Sequence, residues 1–142
     1  MGQAMTLRPF HLAIPVDDLD AARRFYGEAI GCAEGRSDAD WIDFDFFGHQ
    51  LVVHRTAPRG DSGANPVDGH AVPIPHFGLV MEMADWRALA ERLRLADTAF
   101  EIEPTVRFAG QPGEQATMFF RDPAGNAIEM KAFADDGQLF AR

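Results

Sequence analysis

Phe10-His11-Leu12-Ala13-Ile14-Pro15-Val16 and, about 65 residues later, Pro75-His76-Phe77-Gly78-Leu79-Val80-Met81 are the two stretches on which the fold turns. Each is a short apolar run with period-2 character, so each reads as a strand. Each is followed by a helix. After the first, Asp17 or Asp18 can cap a helix whose apolar stripe is Leu19, Ala22, Tyr26, Ala29 and Ile30, with Gly31 as its stop. After the second, Asp85 is the expected cap, and Trp86, Leu89, Ala90 and Leu93 form the stripe. Strands follow in both halves. Trp41–Phe47 alternates, and His49–His54 is a second short run. In the second half come Phe100–Phe108, with Pro104 pointing to an edge, then Gln115–Arg121 and Ala127–Lys131. Between the last two, Asp122-Pro123-Ala124-Gly125-Asn126 is turn chemistry. The pattern is βαβββ twice, an α+β class. The halves span about 8–55 and 74–133 of a single domain, 1–142, joined by a long irregular connection over 55–74.

Composition narrows the function. Thirteen Lys and Arg against 22 Asp and Glu give a net charge of −9, which disfavours nucleic acid and anionic membrane as partners. No apolar run approaches membrane-spanning length, and no secretory leader is evident at the start. One cysteine, Cys32, permits no internal disulfide, so a cytoplasmic protein is expected.

Pleat parity singles out three side chains. Leu12, Ile14 and Val16 share one face of their strand and His11 lies on the other; Phe77, Leu79 and Met81 oppose His76; Ile128 and Met130 oppose Glu129. A lone strand histidine is ordinarily a hydrogen-bonded structural residue. Two repeat-related histidines with matching parity, joined by a carboxylate, suit a divalent first-row metal with open positions for water or substrate.

These residues carry a resemblance. His11 within Phe10–Gly27, His76 within Pro75-His76-Phe77-Gly78, and Arg121-Asp122-Pro123-Ala124-Gly125-Asn126-Ala127-Ile128-Glu129 resemble the vicinal oxygen chelate superfamily over about residues 8–133. That group includes glyoxalase I, extradiol dioxygenases, an epimerase and bleomycin and fosfomycin resistance proteins. Trp41–Gln50 and Gly110–Gln115 most closely resemble bacterial proteins described as predicted extradiol-type dioxygenases. The resemblance implies two βαβββ modules forming an incompletely closed eight-stranded mixed barrel with helices outside. It also implies His11, His76 and Glu129 as metal ligands. Relatives of the glyoxalase type supply a fourth ligand from the strand before the central loop, here His49–His54. Parity sends Gln50 and His54 toward the cavity side, with Gln50 a substrate contact, and His49 at the strand edge. Thr117 and Phe119 are expected to shape the substrate pocket. His49, His54 and His70 are the acid–base candidates, because imidazole exchanges protons near neutral pH.

The expected function is a metal-dependent, dioxygenase-like enzyme acting on a catechol-like or other vicinal-oxygen small molecule. Fe(II) is the first choice of cofactor; Mn, Ni, Zn and Co are the alternatives. The rival readings are a glyoxalase- or epimerase-like lyase or isomerase, and a metal-free binding protein of the resistance type. Bare strand edges in an incomplete barrel suggest a homodimer.

Overall fold

The computed structural model describes residues 6–59, 64–67 and 70–142. Two compact units divide the chain, Met1–Ala57 and Pro58–Arg142. In the first unit β1 (His11–Val16) leads into α1 (Leu19–Ala22), which continues as a wider helical segment over Arg23–Ile30; β2 (Ala33–Asp38), β3 (Trp41–Phe46) and β4 (His49–Arg55) follow. The sheet order is β1-β4-β3-β2, with β1 parallel to β4 and the other pairs antiparallel.

The pleat predicts which residues lie inside. Ile14 and Val16 are buried while His11 and Ala13 are exposed, and Ile42, Phe44 and Phe46 are buried along β3. Asp18 is the helix cap, its Oδ1 accepting from Ala21 N at 3.1 Å. Beyond Arg23 the turns widen: Tyr26 O accepts from both Gly31 N (3.1 Å) and Cys32 N (2.8 Å). The buried positions are therefore four apart, Ala22, Tyr26 and Ile30, whereas Leu19 and Ala29 are only half-buried. Tyr26 packs its ring on Phe44 at 5.5 Å. Arg23 Nε donates to Glu34 Oε1 at 2.6 Å, tying the helix to β2. That bond raises the guanidinium pKa; burial opposes it, and the charges of Glu34 and Asp20 add to the rise.

The second unit begins with the hairpin β5 (Ala64–Val67) and β6 (His70–Pro73), then β7 (His76–Val80), α2 (Met83–Leu95), β8 (Phe100–Arg107), β9 (Gln115–Arg121) and β10 (Ala127–Phe133). Its sheet order, β7-β10-β9-β8, repeats that of the first unit, again with one parallel pair, β7 and β10. Trp86, Leu89, Ala90 and Leu93 form the buried stripe of α2 as the spacing predicts. Trp86 Nε1 donates to Met130 O at 2.8 Å, which pins the helix across β10. β8 is an edge strand, and its pairing with β9 shifts register between Ile102 and Thr105, around Pro104.

Three expectations change. The first half contains a strand, β2, that the apolar pattern misses; all six of its residues, Ala33–Asp38, are exposed. The connection expected to be irregular holds the β5–β6 hairpin. Asp85 is not the cap of α2: the helix begins at Met83, after Glu82, and Asp85 sits in its first turn. There its charge still complements the helix dipole. The eight main strands form two four-stranded hydrogen-bonded sheets rather than one continuous ladder. Among the described residues no helix is long and apolar enough to cross a membrane.

Candidate metal centre

The second-unit cluster is built by a turn. Asp122 Oδ1 accepts from Ala124 N (3.0 Å) and Asn126 N (2.8 Å), and Asn126 Nδ2 donates to Asp122 Oδ2 at 2.8 Å. Gly125 takes φ 95°, the left-handed conformation that the turn requires. This closure fixes the antiparallel register of β9 and β10, in which Phe119 stands opposite Glu129 and Thr117 opposite Lys131. Glu129 thereby turns away from Ile128 and Met130 but remains buried, at 7% exposure.

A carboxylate so placed needs partners, because an uncompensated buried charge is strongly destabilising. Thr117 Oγ1 donates to Glu129 Oε2 at 2.6 Å. His76 Nε2 lies 3.3 Å from Oε1, Lys131 Nζ 3.7 Å from Oε1, and Arg107 Nη1 3.7 Å from Oε2. His76 itself is held from behind: its Nδ1 is 2.7 Å from the Pro73 carbonyl oxygen. A carbonyl only accepts, so Nδ1 carries a proton and donates it, leaving Nε2 as the nitrogen directed at Glu129. Phe119 packs edge-on against the His76 ring at 4.9 Å.

The first unit carries a matching arrangement at His11. Its Nδ1 lies 2.8 Å from Gln50 Oε1, and Gln50 Nε2 is 3.5 Å from Asp43 Oδ2, so the amide oxygen faces the imidazole. His11 likewise donates from Nδ1 and presents Nε2. In register, Gln50 stands opposite His11 as Ala127 stands opposite His76. Two residues further along, β4 has Val52 where β10 has Glu129. His49 Nδ1 accepts from Phe10 N at 2.8 Å and so caps the entry to β1. His54 is exposed, aligned with Pro15 and Trp41. His70 opens β6, and its side chain lies outside the described residues.

The donor set of the second unit fits a divalent cation. Imidazole ligands commonly give their other N–H to a carbonyl or a carboxylate, as His76 does. Two ligands bonded at about 2.0–2.2 Å on adjacent positions of a tetrahedral or octahedral cation lie about 2.8–3.6 Å apart; the His76–Glu129 separation of 3.3 Å falls in that range. His76 and Glu129, two of the three residues expected as ligands, are thus brought together. Among the described residues no three His, Cys, Asp or Glu side chains gather as a metal-holding group.

Thr117 and Phe119, expected to line a substrate pocket, are 0% and 1% exposed, and their contacts run to Glu129 and His76. Sequence reading missed Lys131 and Arg107. Lys131 was within reach of it, being two residues from Glu129 on the same pleat. Arg107 was not, because the shifted β8–β9 register cannot be read from side-chain pattern.

The sequence model of the Glyoxalase/Bleomycin resistance protein/Dioxygenase superfamily matches residues 8–130. A crystal structure of a glyoxalase/bleomycin resistance protein/dioxygenase from Alicyclobacillus acidocaldarius is 33% identical, with a TM-score of 0.79; the match covers 93% of this chain and 96% of that one. The fosfomycin resistance protein FosX of Listeria monocytogenes matches over 98% of this chain and 100% of its own, at 16% identity and a TM-score of 0.66. FosX from Mesorhizobium loti matches over 98% and 99%, at 14% identity and 0.64. At those identities the two FosX proteins share the fold. With two four-stranded sheets of like strand order and a family match spanning both units, this chain belongs to the Glyoxalase/Bleomycin resistance protein/Dioxygenase superfamily, the vicinal oxygen chelate group.

Proposed function

We propose that the protein is a metal-dependent enzyme of the vicinal oxygen chelate type, acting on a small molecule with two adjacent oxygens, and that His11, His76 and Glu129 hold its cation. One observation carries the reading: a buried carboxylate faces an imidazole nitrogen whose opposite N–H is fixed on a backbone carbonyl. In this reading the two units act as one domain. Both imidazoles have their tautomer set by an oxygen acceptor, Pro73 O for His76 and Gln50 Oε1 for His11. A divalent cation bound there supplies Lewis acidity and a coordination sphere for paired substrate oxygens.

The chain's own part is positioning. Thr117 fixes the rotamer of Glu129, and Phe119 fixes the plane of His76. Val52 stands at the place on β4 that corresponds to Glu129 on β10. We assign the chemistry first to dioxygenation of a catechol-like substrate on Fe(II), in a homodimeric cytoplasmic protein. Of the three histidines expected for proton transfer, His49 uses Nδ1 on the Phe10 N–H; His54 and His70 are the ones to replace with Asn.

The test is metal analysis with oxygen uptake. Purified protein should carry iron and consume oxygen when catechol is added. His76→Ala should lower bound metal at least tenfold and stay folded by circular dichroism. Metal without oxygen uptake moves the reading to a lyase or isomerase. Failure of Fe(II), Mn(II), Ni(II) and Zn(II) all to bind overturns it in favour of a metal-free binding protein.

A further inference from the structure

His11 and His76 each open the first strand of a four-stranded sheet, yet their Nδ1 atoms are held by different kinds of partner. The Pro73 carbonyl beside His76 belongs to the backbone and only accepts. The partner of His11 is the Gln50 amide, which accepts through Oε1 or, turned over, donates through Nε2. The orientation of that amide therefore decides the tautomer of His11, and a third residue decides the orientation. Gln50 Nε2 lies 3.5 Å from Asp43 Oδ2. Turned over, the amide would set its oxygen against a carboxylate oxygen, two acceptors with no proton between them. Asp45 stands directly opposite Gln50 in register, but its Oδ1 accepts from Gly48 N at 2.7 Å and serves the turn between β3 and β4. Asp43 lies two residues along the same face, with its side chain only 14% exposed and Arg36 Nε 4.0 Å from the same Oδ2.

We propose that Asp43 is a positioning residue: through the Gln50 amide it fixes the proton of His11 on Nδ1 and leaves the Nε2 lone pair free. The three groups form one chain, carboxylate to amide to imidazole, in which each hydrogen bond polarises the next. The imidazole of the second unit is fixed by chain path, whereas that of the first is fixed by a side chain that turns over once Asp43 is neutralised. What the freed Nε2 then does, binding the cation, rests on the proposed function; the ordering of the proton does not.

Nitrogen NMR of the full, isotopically labelled, metal-free chain tests it. Long-range proton–nitrogen correlation spectra show which ring nitrogen carries the proton, and His11→Gln identifies the His11 signals. They are read at a pH above which the shifts no longer move. In the wild type His11 should be protonated on Nδ1. Asp43→Asn keeps the size of the side chain but lets it donate or accept, so the His11 proton should redistribute toward Nε2. Gln50→Met, which cuts the chain at its middle, should do the same. Asp45→Asn, which removes an equal charge, should leave the wild-type pattern. Three results overturn the proposal: a wild type protonated on Nε2, undiminished Nδ1 protonation in Asp43→Asn, or an equal redistribution in Asp45→Asn. If circular dichroism shows Asp43→Asn unfolded, undiminished Nδ1 protonation in Gln50→Met overturns it instead. A separate metal arm follows Mn(II) affinity by competition with a chelator, which should fall about tenfold in Asp43→Asn. Unchanged affinity beside a shifted tautomer removes His11 from the ligand set and leaves the relay standing. A wild type that takes up no Mn(II) overturns the metal reading alone, and the tautomer still decides this one.

Discussion

Gly78 sits opposite Glu129 in the parallel β7–β10 ladder, and a Cβ there would fall 1.5 Å from the Glu129 carbonyl oxygen. No rotamer relieves a clash with backbone, so Gly78→Ala must push the strands apart. We expect a loss of about 2 kcal/mol, within the range of ~1–3 for overpacked sites, read from urea unfolding, together with weakened metal uptake. Thr117→Val keeps the shape but removes the hydroxyl donor from a buried carboxylate. It should cost about 1–3 kcal/mol. If Thr117 also orients a ligand, metal affinity should fall about 10–100-fold, measured by competition with a chelator; unchanged affinity would leave Thr117 a purely structural role. At this scale the sequence was informative. Parity separates His11, His76 and Glu129 from their apolar neighbours; burial follows it on β1, where His11 is exposed and Ile14 and Val16 are buried, but not on β10, where Glu129 is buried with Ile128 and Met130. The hydrogen bonds that set the two imidazoles come from a backbone carbonyl and a cross-strand amide. They depend on chain path and register, which residue types do not encode locally.

Elements were legible where a side chain states its own conformational reason. Asp18 caps, Gly31 stops the helix at φ 94°, and Asp122–Asn126 turns. They were illegible where tertiary contact decides. β2 is a strand because β3 pairs with it, despite an Ala-Glu-Gly-Arg-Ser-Asp sequence with no apolar face. α2 begins before Asp85 with no side-chain cap, its position held by Trp86 on Met130 O. The β5–β6 hairpin contains Pro66 and Pro73, which argue against strands in isolation. The turn offers the sharpest test at this scale. Asp122→Ala removes three hydrogen bonds to a side chain that is 4% exposed. A loss of about 2 kcal/mol in thermal unfolding is expected, at the upper end of losses from comparable caps.

Across the molecule, the repeated strand order β1-β4-β3-β2 and β7-β10-β9-β8 bears out the doubled βαβββ reading. The halves are alike in scaffold and unlike in charge: Val52 and Glu129 hold corresponding places, so only the second half has a carboxylate at that position. Each sheet ends in open strands, β1 and β2 in one, β7 and β8 in the other. We expect these edges to support a homodimer. Sedimentation at micromolar concentration should give twice the 15.7 kDa chain mass; a monomer there would refute pairing. With a net charge of −9, the protein should also pass through a heparin column unretained at low salt.

The tight loop after β9 has an implication for how such proteins diversify. Strand faces alternate residue by residue, so inserting or deleting one amino acid between Arg121 and Ala127 would rotate the last strand's inventory by half a step. Ile128 or Met130 would then take the face on which Glu129 meets Thr117 and His76, and the acid would be driven among hydrocarbons. Length variation at this corner is therefore closed to natural drift unless it comes in compensating steps, whereas the exposed β2 margin on the opposite half is free to change.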